Sequence, residues 1–359
     1  MFRVLVTDAN YKHAVALAQH ARREIADLYL IGHANRAGRI AKWQSCFDSV
    51  VWREPLERAL AARDYDMAIP IGGRSVLTVA STCPELSVQS PRSELEVCYD
   101  KLLTMQLARR LEVPAPRTWY VGRVEDLNAL SLSFPCVVKP AREATYLKTV
   151  AYCNDLSQVT VAVTNQLTAL GDEAGVLVQE FVQGYGCGFF ALMENGKPLR
   201  IFMHRRIRES PPSGGSSTAA RAFYSPRLKE LGLRLLEALN WHGVAMVEFK
   251  YNPSIDDFVL LEINAKFWGS LELALSAGVN FGADLIRLFR GEKLCYRETY
   301  DRAHEFYWPL DDDILTLWQT RSLRHISDYW SPNAHTNLFQ SIRVDAYKSL
   351  RLAKRVLLG

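Results

Sequence analysis

Short apolar runs alternate with amphipathic stretches along residues 1 to about 92. RVLVT (3–7), DLYLIG (27–32), SVVW (49–52) and MAIPI (67–71) read as strands. YKHAVALAQHARR (11–23), PLERALAA (55–62) and GRSVLTVAST (73–82) read as helices. Strand and helix in alternation with short links predict a parallel sheet covered on both faces. Such a sheet can bind ligands at the carboxyl ends of its strands. Gly72 and Gly73 follow a strand and precede a helix, which suits close approach to a ligand or a plain structural turn.

The pattern then changes. Residues 93–111 carry an apolar stripe, with Val97, Leu102, Met105 and Leu111 on it, and predict one helix stopped by Pro114 and Pro116 before a strand. FPCVVKPA (134–141) is a strand ending in Lys139, and residues 175–209 read as successive strands with turns at Gly184 and at ENGK. Residues 225–239 predict a helix, with Ser225 as cap, Pro226 in the first turn, and Leu228, Leu231, Leu235 and Leu239 as its buried stripe. GVAMVEFKY (243–251) and DFVLLEINA (257–265) form two strands joined by a polar turn. Residues 297–359 contain three tryptophans and no repeat, and are expected to be mainly helices packed on the body.

One strand poses a chemical problem. Alternation places Glu262 and Asn264 on one face with Phe258 and Leu260, while Val259, Leu261 and Ile263 are apolar on the other. Both faces therefore look covered, yet an acid ends the strand. Glu248 repeats the arrangement in the preceding strand, behind Val244 and Met246. Two buried acids at adjacent strand ends require a counter-charge or a metal. Mg²⁺, held by Glu248, Glu262 and Asn264 with positions left for a nucleotide, would answer them. An internal salt bridge from Lys250 or Lys266 would also do so.

Candidate cations lie nearby in the chain. Lys139 ends an apolar strand and must snorkel or meet an anion. Lys101 begins a helical stretch, where exposure is the default. HRRIRE (204–209) puts Arg206 and Arg208 on one strand face and Arg205 on the other. SPPSGGSS (210–217) follows, a loop whose Ser213, Gly214 and Gly215 offer N–H groups and a hydroxyl to an anion. GYGCGF (184–189) mimics a dinucleotide fingerprint but leads into more strand rather than a helix, so that reading is rejected.

Composition narrows the classes. The 359 residues suggest two or three domains, and 48% hydrophobic with 23% charged residues is ordinary for globular proteins. No apolar run reaches the roughly 18 residues of a membrane span. The first residues enter a strand directly, which leaves no room for a secretory signal. The seven cysteines show no C-x-x-C spacing and several sit in apolar runs (Cys98, Cys136, Cys295), as expected of reduced, partly buried thiols in a cytoplasmic protein. The net charge is +4, and residues 343–359 alone contribute +4. The rest is neutral, which argues against a nucleic-acid groove. In that tail Ala346, Leu350, Ala353 and Leu357 make an apolar stripe beside basic residues. A docked helix is the common form of such a pattern, and peripheral membrane contact is its alternative. Oligomeric state is open, a homodimer included.

Taken in order, QEFVQGYGCG, HRRIRESPPSGGSS, WHGVAMVEFK and LLEINAKFWGSLELALSAGV resemble the ATP-grasp superfamily, in the bacterial carboxylate–amine ligase branch related to the ATP-binding domain of carbamoyl phosphate synthetase. The resemblance covers roughly residues 93–296. It implies an α/β and α+β protein: a Rossmann-like domain over 1–92, an ATP-grasp domain of two subdomains over 93–296 split near 170, and a helical extension over 297–359. It further implies that Lys101 and Lys139 contact nucleotide phosphates, and that Glu180 with the backbone of Phe181 and Val182 holds the adenine. Glu248, Glu262 and Asn264 would bind Mg²⁺, usually two ions, with Mn²⁺ as a substitute. Lys266 stands where relatives carry an arginine on the phosphate, and Arg205 and Arg206 would neutralise the transferred phosphoryl group.

There are departures. The loop after Lys139, PAREATYLKTV (140–150), has no glycine, Ala265 replaces the usual proline, and no acid after Glu180 matches the ribose ligand. The implied chemistry is activation of a small-molecule carboxylate as an acyl phosphate for attack by an amine. The rivals are kinase-like or hydrolytic phosphoryl transfer and a non-catalytic nucleotide-binding module.

Overall fold

The structure is a computed structural model that describes residues 1–34, 42–62, 64–143, 150–171, 175–211, 214–344 and 347–358. Three sheets organise it. The first uses β1 (Phe2–Val6), β2 (Leu28–Ala34), β3 (Ser49–Trp52) and β4 (Met67–Ile69) in the order β3-β2-β1-β4. All its pairings are parallel, as the alternating pattern predicts. Helices α1 (Lys12–Glu24), α2 (Leu56–Ala62) and α3 (Gly73–Thr82) connect or follow the strands. Val4, Leu5 and Val6 are fully buried, because consecutive residues of a doubly covered strand meet helices on both sides. Gly72 caps α3, and its N–H donates to Asp8 Oδ2 at 2.9 Å, so this turn is tied to the end of β1.

The single helix expected over 93–111 is two, α4 (Arg92–Tyr99) and α5 (Lys101–Arg110). Asp100 breaks the run: its backbone is extended and its carboxylate accepts the N–H groups of Leu102 and Leu103, capping α5. The second sheet follows, with β5 (Thr118–Val121), β6 (Cys136–Pro140), β7 (Ala151–Cys153) and β8 (Val176–Glu180) in antiparallel order β5-β8-β6-β7. Helix α6 (Leu156–Leu170) covers it through Val159 and Val163.

The third sheet has seven strands in the order β13-β12-β9-β10-β11-β14-β15. These are β9 (Tyr185–Glu194), β10 (Lys197–Ser210), β11 (Ser216–Ala222), β12 (Gly243–Asn252), β13 (Asp257–Asn264), β14 (Glu305–Tyr307) and β15 (Ala334–Thr336). Helix α7 (Pro226–Ala238) has the expected cap, since Ser225 Oγ accepts Leu228 N–H at 3.3 Å, and it buries Leu228, Leu231 and Leu235 completely on one sheet face. The other face packs through Phe190, Phe202 and Met246 into a core shared with α1, α8 (Leu271–Ser276), α9 (Phe281–Phe289) and the first sheet. Asn280 Nδ2 donates to the His20 carbonyl at 3.1 Å, and Arg290 pairs with Asp27 at 3.0 Å. The first sheet is thereby fastened over the larger one.

Residues 297–359 depart from the mainly helical expectation. They contribute two strands to the edge of the seven-stranded sheet, besides α10 (Ile314–Gln319), α11 (Leu338–Val344) and α12 (Tyr347–Leu358). Glu305–Tyr307 alternates too briefly to stand out in sequence, and it is recruited by the open edge of β11. The α12 helix does not dock by its apolar stripe: Leu350 and Ala353 are exposed, Ala346 lies outside the described residues, and the same holds for the Leu357 side chain. Instead Lys348 donates to Asp311 at 2.7 Å, and Leu352 is half-buried beside it. A carboxylate in a largely covered turn requires a cation, and that demand outweighs the weak apolar stripe. Cys295 is exposed rather than buried in its apolar run, while Cys98 and Cys136 are buried as expected; the seven cysteines are all free thiols.

Gly184 marks the entry to the third sheet. Its φ is +116°, and a Cβ there would lie 1.8 Å from the Tyr251 carbonyl oxygen on β12. Gly171 also has positive φ, +72°, but open space around it. Gly184→Ala is therefore expected to destabilise the protein by about 2 kcal/mol more than Gly171→Ala, read as the larger drop in the urea unfolding midpoint.

Candidate functional site

The site is set by strand register. Glu248 on β12 and Glu262 on β13 are direct cross-strand partners, and Met246 faces Asn264. The strict alternation expected along β13 does not hold. A bulge at Leu261 shifts the register between Glu248 and Phe249, so that Phe249 pairs with Leu260. Phe258, Leu260 and Ile263 consequently all join the core under α7, and Glu262 and Asn264 emerge on the opposite face. The bulge separates the strand's apolar anchors from its polar end.

The cation on Glu248 is neither Lys250 nor Lys266. It is Arg206, whose Nη2 lies 2.7 Å from Glu248 Oε1 although β9 runs between their strands. A glycine of β9 allows this. Glu248 registers with Gly188, and Cβ atoms at Gly186 would lie 2.7 Å from Arg206 Cδ and 2.8 Å from Glu209 Oε1. Gly186 thus leaves the room through which Arg206 reaches across the sheet, while the space beside Gly188 is filled by the Phe190 ring and His204. The GYGCGF run finds its physical role here, rather than in a dinucleotide turn. Arg206 also donates to the Gly215 carbonyl at 2.9 Å, and Glu209 Oε2 accepts Gly215 N–H at 3.1 Å, so the end of the 210–217 loop is folded onto the arginine. Gly214 N–H donates to the Pro211 carbonyl at 3.1 Å, and a Cβ on Gly214 would meet the Tyr152 hydroxyl at 2.6 Å. Ser213 lies outside the described residues, as do residues 144–149 of the loop after Lys139.

Lys101 and Lys139 converge on Glu262. The Lys101 N–H donates to the Ala141 carbonyl at 2.9 Å, which joins the start of α5 to the end of β6. Burial would push Glu262 up, but the charges of Lys101 and Lys139, a hydrogen bond from Asn264 Nδ2 at 3.0 Å and the Lys266 charge hold its carboxyl below the usual range. Glu248 goes the other way: burial and the neighbouring Glu262 charge raise it, against Arg206. Burial lowers Lys139 to about 8, helped by Lys101 and opposed by Glu262 and Glu248. Arg206 is buried, yet Glu248 and Glu209 raise it above its ordinary value. The two acids thus sit in one electrostatic cluster with three cations.

The remaining candidates divide. Lys266 pairs with Glu143 and lies 5.9 Å from the Tyr99 ring centroid, at the border of the cluster. Arg205 points away from Arg206 by strand alternation and lies 5.9 Å from the Tyr185 ring. Arg208 is engaged elsewhere, by bidentate bonds to buried Asp313 at 2.9 and 2.8 Å and by Asp328 at 2.8 Å. Glu180 closes β8, accepting Arg117 N–H at 3.2 Å. Phe181 N–H donates to the Pro135 carbonyl at 3.3 Å, and the Val182 carbonyl accepts Lys250 Nζ at 3.1 Å. Lys250 also lies 4.9 Å from the Phe181 ring, with Tyr152 edge-on at 5.9 Å. That group forms an aromatic and cationic wall where the second and third sheets meet.

Sequence reasoning missed Glu209, Glu143, His13 and Glu272. Glu209 follows Arg206 by three residues, a spacing that was readable. The others become neighbours only through the fold. His13, at the start of α1, is pushed down to about 3 by burial and by the charges of Lys12 and Lys266, so it is neutral. Glu272 on α8 accepts Trp308 Nε1 at 2.6 Å and Asn337 Nδ2 at 3.1 Å, with Lys12 4.9 Å from the Trp308 ring.

The donor set suits Mg²⁺. Arg206 takes one oxygen of Glu248 and the Asn264 amide one oxygen of Glu262, which leaves each carboxylate a second oxygen and the amide its own. All three are hard oxygen donors. Among the described residues no three His, Cys, Asp or Glu side chains gather as a protein-only metal cage. Mg²⁺ commonly completes its shell with water or phosphate oxygens.

No model of a known family matches the chain. It is 24% identical over 221 residues to a D-alanine–D-alanine ligase of Sinorhizobium fredii, covering 56% of this chain and 70% of that one. Among solved structures it is similar to an L-amino acid ligase from Bacillus licheniformis, with a TM-score of 0.64, 16% identity, and 83% of this chain and 76% of that one covered. It is similar also to biotin carboxylase from Campylobacter jejuni in complex with an ATP analogue, with a TM-score of 0.69, 14% identity, and 84% and 74% covered. These likenesses show a fold shared with those enzymes, and with the paired strand-end carboxylates beside two converging lysines they support the resemblance to ATP-grasp carboxylate–amine ligases.

Proposed function

We propose that this cluster binds Mg-ATP and transfers its γ-phosphoryl group to a small carboxylic acid, which an amine then converts to an amide. The protein is an ADP-forming, ATP- and Mg²⁺-dependent carboxylate–amine ligase. The single observation that carries the site assignment is the register of Glu248 against Glu262 amid Lys101, Lys139 and Arg206.

A carboxylate oxygen is a poor leaving group, so direct attack by an amine is slow. Phosphorylation breaks the bond from the γ-phosphorus to the β,γ-bridging oxygen, releases ADP, and forms an acyl phosphate. The amine nitrogen then bonds to the acyl carbon, inorganic phosphate leaves with its electron pair, and the nitrogen sheds a proton. The protein supplies position and charge. Bound Mg²⁺ would neutralise phosphate oxygens, held by Glu248, Glu262 and Asn264. An all-oxygen donor set suits two such ions and admits Mn²⁺ in their place. Lys139 reaches the phosphates from the end of β6 in the second sheet, and Lys101 from the start of α5. Arg206, fixed by Glu248 and Gly215, offers a charge that does not titrate in the physiological range. Lys266 exchanges Glu143 for phosphate in this reading. Arg205 turns away from the cluster toward Tyr185 and is left out of phosphoryl neutralisation in this reading. Glu180, Phe181 and Val182 line the adenine side with Lys250. Gly214 and Gly215 cover the intermediate and exclude water.

The domain reading belongs to the same proposal. Residues 1–92 form the Rossmann-like unit, residues 93–296 the ATP-grasp unit, and residues 297–359 an extension that also edges the large sheet. Among the described residues no helix is long and apolar enough to cross a membrane. Free thiols and ATP dependence favour a cytoplasmic setting.

Phosphate release with ATP, Mg²⁺ and mixed acids and amines tests the reading: turnover must require both co-substrates, and turnover with an acid alone would sink it in favour of a kinase or hydrolase. Glu262→Gln is expected to lower kcat at least about a hundredfold while the protein stays folded at the assay temperature; near-normal turnover would remove the carboxylate from the metal set. Gly186→Ala is expected to push Arg206 off Glu248 and cost kcat about tenfold or more, while leaving the ATP dissociation constant within a few-fold. Lys139 predicts a pH effect. It is protonated below about 8 in the free protein and loses its proton above that value, whereas bound phosphate favours the protonated form. ATP binding is thus expected to take up a proton above pH 8 and to weaken as pH rises, read by calorimetry in buffers of differing ionisation enthalpy. Lys139→Arg should abolish the uptake.

A further inference from the structure

The net positive charge of this protein is concentrated in one region, which also carries several of its most exposed apolar side chains. Residues 318–359 hold seven Lys and Arg against two Asp, a net +5, while the whole chain carries +4. The same stretch exposes Trp318 (50%), Trp330 (76%), Phe339 (84%) and Leu350 (64%), and Phe339 and Trp330 are among the most exposed large apolar side chains of the protein. The elements that carry them adjoin. Helix α10 packs against the 3-10 turn Leu323–Trp330 and against α12, and α12 packs against α11. The basic side chains Arg321, Arg324, Arg343 and Lys354 are exposed among them. Helix α12 turns Lys348, bonded to Asp311, and half-buried Leu352 inward and leaves Leu350 and Lys354, four residues apart on one face, outward.

We propose that this surface docks on an anionic lipid bilayer, with Trp318, Trp330, Phe339 and Leu350 entering the headgroup region and the arginines and lysine meeting acidic headgroups. The chemistry favours lipid over other occupants. Large aromatic side chains interleaved with Arg and Lys are the composition of an interfacial surface, where indole and phenyl rings settle at headgroup depth. Each cation near an acidic leaflet adds an increment to partitioning. A protein partner would require an apolar centre depleted of charge, and here exposed basic residues alternate with the exposed apolar ones along the chain. A second copy of this chain would set this surface against its own image across a two-fold axis, bringing like charges together. The nucleotide cluster is distant in sequence and its chemistry is not used, so the docking stands or falls separately from the ligase reading. Its consequence for function is a ligase held where its acid or amine is itself membrane-borne.

Sedimentation of the full chain with phosphatidylcholine–phosphatidylserine vesicles, against pure phosphatidylcholine vesicles, tests this directly. Binding is expected to the first and not the second, and to fall with added salt. Arg343→Gln and Lys354→Gln are each expected to lower the partition constant about fivefold, and the double variant Trp330→Ala with Phe339→Ala to lower it further, while ATP binding of all three variants stays at the wild-type value. Equal affinity for both vesicle types, or none for either at low salt, overturns the proposal. So does a dimer in light scattering that Phe339→Asp converts to a monomer, since a second copy would then cover the surface.

Discussion

Two carboxylates held side by side across a pair of buried strands are the constraint on which the rest of the site depends. Glu248 and Glu262 cannot avoid one another, because the β12–β13 register makes them partners. In a low-dielectric interior such a pair would be driven to share a proton unless positive charge is brought to it. The protein brings it from three directions. Arg206 comes from β10, Lys139 from the end of β6, and Lys101 from the first residue of α5. Each of those elements lies in a different part of the chain, so the two acids also fix where the second sheet and α5 must sit. The asymmetry of the result has chemical use. One carboxylate is tied to an arginine and raised, and the other is held ionised by lysines that a triphosphate can recruit.

Much of the fold was readable because its periods are simple. The parallel sheet of residues 1–92, the capped helix behind Ser225 and the hairpin of β12 and β13 follow directly from apolar spacing and turn chemistry. What was not readable has local causes. Asp100 is a strong cap inside a continuous helical stripe, and an apolar pattern carries no sign of a break that a side-chain hydrogen bond makes. Leu261 is one residue too many for a strict alternation, and the bulge that absorbs it reverses the faces assigned to Phe258 and Leu260. The short strands β14 and β15 form because an edge is available, a fact of tertiary structure alone.

The site was legible as a set of residue types and less so as a set of partners. Glu248, Glu262, Asn264, Lys101, Lys139 and Arg206 are brought together. Lys250 and Lys266, the obvious counter-charges by nearness in sequence, turn instead to the Val182 carbonyl and to Glu143. Sequence distance misleads here because a strand residue's true neighbours lie across the sheet. Arg206 is separated from Glu248 by a whole strand, and the missing side chain at Gly186 makes the contact geometrically available.

That glycine also explains why this arginine, rather than a lysine, holds the position. A guanidinium is planar and forked, so it can lie flat along a smooth strand and bond at both ends. Arg206 does so, with Glu248 on one side and the Gly215 carbonyl and Glu209 on the other. The bond to Gly215 couples the acid pair to the loop that follows β10. Whatever draws Arg206 away from Glu248, such as the charge of a transferring phosphoryl group, must therefore also loosen or reseat that loop. The carboxylate pair and the turn after β10 are in this way coupled through one side chain, because a single fork holds both.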